Sequence, residues 1–341
     1  MTGDTSSLHI SSVLAFHRLL GNLSTAFRPV IILFSLLALP AGTISCTMKD
    51  SEPKQIIRIA ENPWTGSSIN AHVARIILTE KMGYQVELVP IDGKSQWPAL
   101  AKGSIDASLE VWPSGRKELI EEYMSDRKLV EYIGLLGVVG KVNWYVPTYV
   151  VEKYPELATW EGFKDPRLAA LFKTEASGGK GRFLAGDPSW VQYDRDIIRN
   201  LDLPLRVVQA GSEQAVLDAL ETAYSRRQPI LVYLWTPHAV HAKYGLTAVK
   251  LPKYSDACYA KAAEGGVACE YPSEILFKAA WPGLKTKAPD AYRFLKNFAY
   301  SNEDQIAMLA MVEIEGKTPE AAARIWIERN QEKWKSWLPI E

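Results

Sequence analysis

Little in this chain points to bond-making chemistry. No G-x-S-x-G, H-E-x-x-H, C-x-x-C or G-x-x-x-x-G-K-[ST] occurs in its 341 residues. The usual signatures of a nucleophile elbow, a zinc protease, a redox dithiol and a phosphate loop are therefore missing. Gly178-Gly-Lys-Gly181 has neither the preceding strand nor the following Ser or Thr of a phosphate loop. His238 and His241 have metal-like spacing but no cysteine or acid beside them, so no metal and no cofactor is expected. An excess of one charge is also lacking: 39 Lys and Arg balance 39 Asp and Glu. With no basic stripe, nucleic acid is excluded as a partner. The longest apolar run, Val30–Leu39, is too short to span a bilayer.

That run has a different use. Arg18 and Arg28 precede it and small residues follow at 41–45, so residues 1–46 read as an export segment. Cys46, just after it, is a candidate for lipid acylation, although Thr43 and Ile44 fit the usual pattern poorly. The only other cysteines, Cys258 and Cys269, are expected to form a disulfide, as an isolated pair in an exported protein does.

Beyond residue 54 the pattern is α/β. Ile56–Ala60, Tyr84–Val89 and Ser108–Val111 read as strands; 67–82 and 97–102 read as helices closed by Gly83 and Gly103. Strands alternating with helices imply a mostly parallel sheet. Gly134–Val142 leads to Tyr145-Val-Pro147 and reads as a crossing to a second unit, with strands at 183–185, 205–208 and 229–234 and helices near 191–200 and 213–226. Segments 289–301, 302–312 and 318–335 read as helices without a core of their own, which should pack back on one unit.

Aromatic residues are the abundant feature: 11 tryptophans, several placed where a strand stops. Trp64, Trp112 and Trp235 each follow an apolar run and have a proline nearby, and Trp190 sits in the turn Gly186-Asp-Pro-Ser-Trp. Strand ends of open α/β sheets are where ligands bind. Indole faces there suit a quaternary ammonium, whose charge lies under methyl groups and whose nitrogen has no N–H to donate. Arg116, four residues beyond Trp112, is a permanent cation fit to read a carboxylate.

Glu61-Asn-Pro-Trp64, Gly103-Ser-Ile-Asp-Ala-Ser-Leu-Glu-Val-Trp112-Pro, Gly186-Asp-Pro-Ser-Trp190 and Leu234-Trp-Thr-Pro-His238 resemble, in the same order, the glycine betaine/proline betaine substrate-binding proteins of ABC importers. The resemblance covers most of 54–341. It implies a two-lobed clamshell in which residues 54–144 with 275–341 form one lobe and 147–272 the other. It also implies a tryptophan cage drawn from Trp64, Trp112, Trp190 and Trp235; family branches use different threes, and this chain keeps all four. The ligand carboxylate would be met by the backbone N–H groups of Val191 and Gln192. A family histidine that shares this task falls on Arg116 here. Glu110 also departs from the family, and reads either as an outward-facing strand residue, as a counter-charge for the cation, or as a partner for Arg116.

The resemblance thus implies an exported, monomeric, non-enzymatic receptor that captures a betaine and delivers it to a membrane permease for osmoprotection. Two rivals share the binding residues. One is a sensor of choline, carnitine or sulfonium analogues without transport. The other is an exported enzyme on methylammonium compounds, which would need Glu110 or His238 as its acid or base.

Overall fold

The computed structural model describes residues 55–339. The export segment 1–46 and Cys46 lie outside the described residues. The chain begins with β1 (Ile57–Glu61), whose Ile57 and Ile59 turn inward. Helix α1 (Thr65–Glu80) follows and buries Ile69, Val73, Ile76 and Ile77 at helical spacing. Gly83, with φ near +70°, turns the chain into β2 (Val86–Pro90). A short helix, α2 (Gln96–Ala101), leads to β3 (Ala107–Val111), and β1 pairs parallel with both β2 and β3. The opening pattern read from the sequence is present.

The two units are joined differently from a pair of parallel sheets. β4 (Glu131–Pro147) runs for 17 residues. It pairs antiparallel with β9 (Ser273–Ala280) along its first part, and with β7 (Val232–Thr236) along its last. With β5 (Gly181–Ala185), β6 (Leu205–Gln209) and β8 (Leu246–Ala248), the result is one nine-stranded mixed sheet. Its order is β2-β1-β3-β9-β4-β7-β5-β6, with β8 on β4. The glycines in β4 have a steric reason. A Cβ on Gly137, whose φ is +94°, would stand 2.4 Å from the Tyr300 carbonyl oxygen.

Apolar side chains gather separately at the two ends of this sheet. Toward β2, Ile57, Ile69 and Ile77 pack with Phe294, Phe298, Met308, Trp326 and Trp337. The helices Pro289–Asn297, Asn302–Glu313 and Pro319–Arg329 therefore fold back on the first half, as expected of segments with no core of their own. Toward β6, Trp144, Phe163, Phe183, Ile197 and Tyr271 form another group.

Cys258 and Cys269 are joined by a disulfide within the second half. Closing a loop of this length contributes about 2–3 kcal/mol on the chain-entropy model. The double substitution Cys258→Ser, Cys269→Ser should lower the denaturant midpoint by a corresponding amount. Thiol titration of the denatured, non-reduced protein should find neither cysteine; two reactive thiols at these positions would refute the bridge.

Candidate functional site

The strand ends that stop at tryptophan converge on one cavity, lined by Trp64, Trp112, Trp190, Trp235, Glu110 and Arg116 among others. The proline after Trp112 and the end of β7 after Thr236 halt the ladders there. Trp64 occupies the position just before α1 in extended conformation, so its ring leaves the helix and enters the cavity. The cavity measures about 70 Å³. That is several times the roughly 10–15 Å³ one water needs on the same measure. It suits a ligand of a few heavy atoms.

Each indole is held by something specific. Trp112 lies over Gly140 of β4, where a Cβ would meet the ring at 2.4 Å. Trp190 lies on Gly186, where a Cβ would meet it at 2.0 Å, and its turn is fixed by Asp187 accepting from the N–H of Ser189 at 2.8 Å. Trp190 and Trp235 meet edge to face, with centroids 5.1 Å apart at 88°. Trp64 and Trp112 are tied together by one carboxylate: Glu110 Oε1 accepts from both indole N–H groups, at 2.6 and 2.9 Å.

Glu110 is therefore neither outward-facing nor a partner of Arg116. It is 2 % exposed. Its Oε2 accepts from Asn70 at 2.6 Å and Gln305 at 3.1 Å, so four N–H donors occupy both oxygens. Gly66 on α1 permits this approach, since a Cβ there would lie 2.9 Å from the Gln305 amide and 3.1 Å from Glu110. Burial raises the Glu110 pKa above the usual carboxylate value, while the bonds from Trp112, Trp64 and Gln305 oppose the shift. No cation forms an ion pair with it among the described residues. An anion surrounded only by neutral donors adds negative potential to a cavity walled by π faces.

Arg116 lines the same cavity and donates from Nη2 to the Ser189 carbonyl at 3.3 Å. Burial lowers its pKa and Asp92 opposes the shift; a guanidinium stays charged in proteins. Val191 lines the cavity; the Gln192 side chain instead bonds to the Asp187 carbonyl and to Gln209 outside it. The backbone N–H groups of Val191 and Gln192 donate to no acceptor among the described residues.

Among the cavity residues that the sequence did not mark as site residues are Ser114, Tyr233, Tyr271 and Glu274. Tyr233 was legible, being two residues before Trp235 on one strand and so on the same face. Glu274 and Tyr271 come from a distant segment and carried no signal. Glu274 is buried, accepts from Ser114 N–H and Oγ–H at 2.8 and 2.6 Å, and has its pKa raised by burial. His238 likewise gains partners that its sequence neighbours do not offer. Glu213 lies 3.1 Å from Nε2 and Glu313 lies 2.8 Å from Nδ1. These carboxylates approach different ring nitrogens, the arrangement of an ion triad rather than of three donors aimed at one metal.

Residues 55–329 match the family described as the substrate binding domain of the ABC-type glycine betaine transport system. A trimethylamine N-oxide-binding protein of Pelagibacter ubique is 28% identical over 318 residues, which is 90% of this chain and 98% of that one. The glycine betaine/carnitine transport binding protein GbuC of Listeria monocytogenes is 32% identical over 132 residues, 38% of each chain. Lactococcal OpuAC, in its closed conformation with glycine betaine, shares the fold with a TM-score of 0.66 at 21% identity. That match covers 84% of this chain and 100% of the other. A choline-binding protein of an ABC transporter, in complex with choline, has a TM-score of 0.63 at 22% identity, covering 83% and 92%. With its two-lobed mixed sheet and a family match spanning nearly all the described residues, this chain belongs to the OpuAC family of substrate-binding domains of ABC-type glycine betaine transport systems.

Proposed function

We propose that this protein is an extracytoplasmic receptor that captures a trimethylammonium zwitterion of the betaine class and delivers it to an ABC permease. Residues 54–144 with 275–341 would form one lobe and 147–272 the other, consistent with the two separate apolar groups. The observation that carries the reading is Glu110 holding the Trp64 and Trp112 rings by their N–H groups in a cavity also lined by Trp190 and Trp235. With both indole N–H groups engaged, what remains to the ligand is the π surface, which favours a methylated cation. Arg116, with the unengaged N–H groups of Val191 and Gln192, offers donors for the carboxylate. No step of the reading makes or breaks a covalent bond.

A second reading is a ligand with the same trimethylated nitrogen but no carboxylate. The near full-length similarity to a trimethylamine N-oxide-binding protein and the small cavity favour it. Calorimetry with glycine betaine, proline betaine, choline, carnitine, dimethylsulfoniopropionate and trimethylamine N-oxide separates the two. On the first reading glycine betaine binds more tightly than choline, and Arg116→Ala narrows the gap by weakening glycine betaine at least about tenfold more than choline. Loss of one charge-assisted bond, roughly 1.5–3 kcal/mol, sets that scale. Equal binding of choline and glycine betaine would refute the carboxylate role of Arg116. Turnover of any bound ligand would refute the receptor reading.

A further inference from the structure

Helix α1 starts without a cap of its own. Trp64, in the capping position, offers no side-chain acceptor, and no acidic residue lies in the first turn. An acceptor arrives from the other half of the molecule. Glu213 Oε2 accepts from the N–H of Thr65 at 2.7 Å and from its hydroxyl at 3.1 Å. Glu213 opens the helix Glu213–Ser225, which packs toward β7. Its other oxygen faces His238 Nε2 at 3.1 Å, three residues past Trp235. Glu313, at the end of the helix Asn302–Glu313 on the first half, lies 2.8 Å from Nδ1. The chain Thr65–Glu213–His238–Glu313 thus crosses between the halves twice, beginning beside one cage tryptophan and passing close to another.

The middle of this chain is shielded from water: His238 is 3 % and Glu213 8 % exposed. Burial would by itself lower the imidazole pKa, and the neighbouring carboxylates of Glu213 and Glu313 raise it to about 9. The Val240 N–H also donates to Nδ1 at 3.1 Å, so that nitrogen is shared between a backbone donor and the Glu313 carboxylate beside it. Burying such charges is favourable only while they are paired, and pairing requires both halves to be in contact.

We propose that Glu213 is a positioning residue that caps helix α1 from the opposite lobe, so that lobe closure fixes Trp64 and Trp235 in the cage together. The inference rests on the receptor reading above. When the lobes part, the backbone N–H groups of the first turn of α1 lose their only side-chain acceptor among the described residues, and Trp64 its fixed helix start. Glu213 does not line the cavity, so it would act on affinity through closure and not through the ligand.

Stopped-flow tryptophan fluorescence with glycine betaine tests this. Glu213→Ala should raise the dissociation rate about tenfold, the scale of a charged cap. The association rate should change little, because ligand enters before the lobes meet. Thr65→Pro removes the capped N–H at a position where proline is tolerated, and the extended backbone of Trp64 accepts a following proline. In that background the effect of Glu213→Ala should fall by about half or more. An unchanged dissociation rate in a folded Glu213→Ala protein, or full additivity with Thr65→Pro, overturns the proposal. A wild-type protein that ignores glycine betaine refutes the betaine assignment instead. The cap is then judged with trimethylamine N-oxide as the probe: Glu213→Ala must speed its release as well, and an unchanged dissociation rate overturns it.

Discussion

Glu110→Gln should weaken the binding of choline, a cation with no carboxylate, by about a hundredfold while leaving the protein folded. A carboxylate some 5 Å from the ligand charge, at the effective dielectric of a protein site, contributes roughly 3 kcal/mol that a neutral amide of the same shape does not. Glycine betaine, neutral overall, should lose less. Glu110→Ala is a different experiment. It strips the acceptor from Trp64, Trp112, Asn70 and Gln305 together, leaving buried donors unpaired. A stability loss of about 3–5 kcal/mol is expected from breaking so enclosed a network.

The same residue gives a pH signature. Burial raises the Glu110 pKa in the folded, unliganded protein. Between the ordinary carboxylate value and the raised one, the folded state keeps a proton that the unfolded chain has released. Stability contributed by this group should therefore fall as pH rises through that window. A bound cation favours the ionised form, so cation affinity should rise over the same window, with a proton released. Arg116 stays charged throughout, and Glu274 is the other buried carboxylate of the cavity. An affinity slope that survives Glu110→Gln would transfer the effect to Glu274.

Trp235→Ala should cost about ten- to a hundredfold in ligand affinity with modest loss of stability, and Trp112→Ala likewise. Each removes one π face and its apolar area, worth ~1–3 kcal/mol. Trp97 is the contrast. It is fully buried, packs with Leu100, Ile105 and Phe277, and lies outside the cavity. Trp97→Ala should cost about 3–5 kcal/mol of stability and leave the affinity of the folded fraction unchanged. Trp160 and Trp281, also away from the cavity, should behave as Trp97 does but more mildly. Equal affinity losses at Trp235 and Trp281 in folded proteins would mean that the cage has other walls. Gly140→Val tests Trp112 from behind: the added side chain must displace the ring, so affinity should fall although no cavity residue was changed.

The sequence by itself determined the local elements and the ring of tryptophans. Period-two and period-3.6 apolar spacing marked β1, α1 and β2, and proline after a strand placed Trp112 at a strand end, because these signals act over a few residues. Side chains two apart on a strand share a face, so even Tyr233 was within reach of that reasoning. Tertiary structure decided which charges are buried and what they face. β9 escaped notice because Glu274 and Lys278 interrupt its apolar pattern. Ser114 takes the first, and the carbonyls of Leu295 and Lys296 take the second. Glu110 looked like a surface residue for the same reason. Its four donors come from positions 64, 70, 112 and 305, and no local pattern announces such a meeting. A buried charge is tolerable only where distant donors converge on it, and convergence is a property of the folded chain.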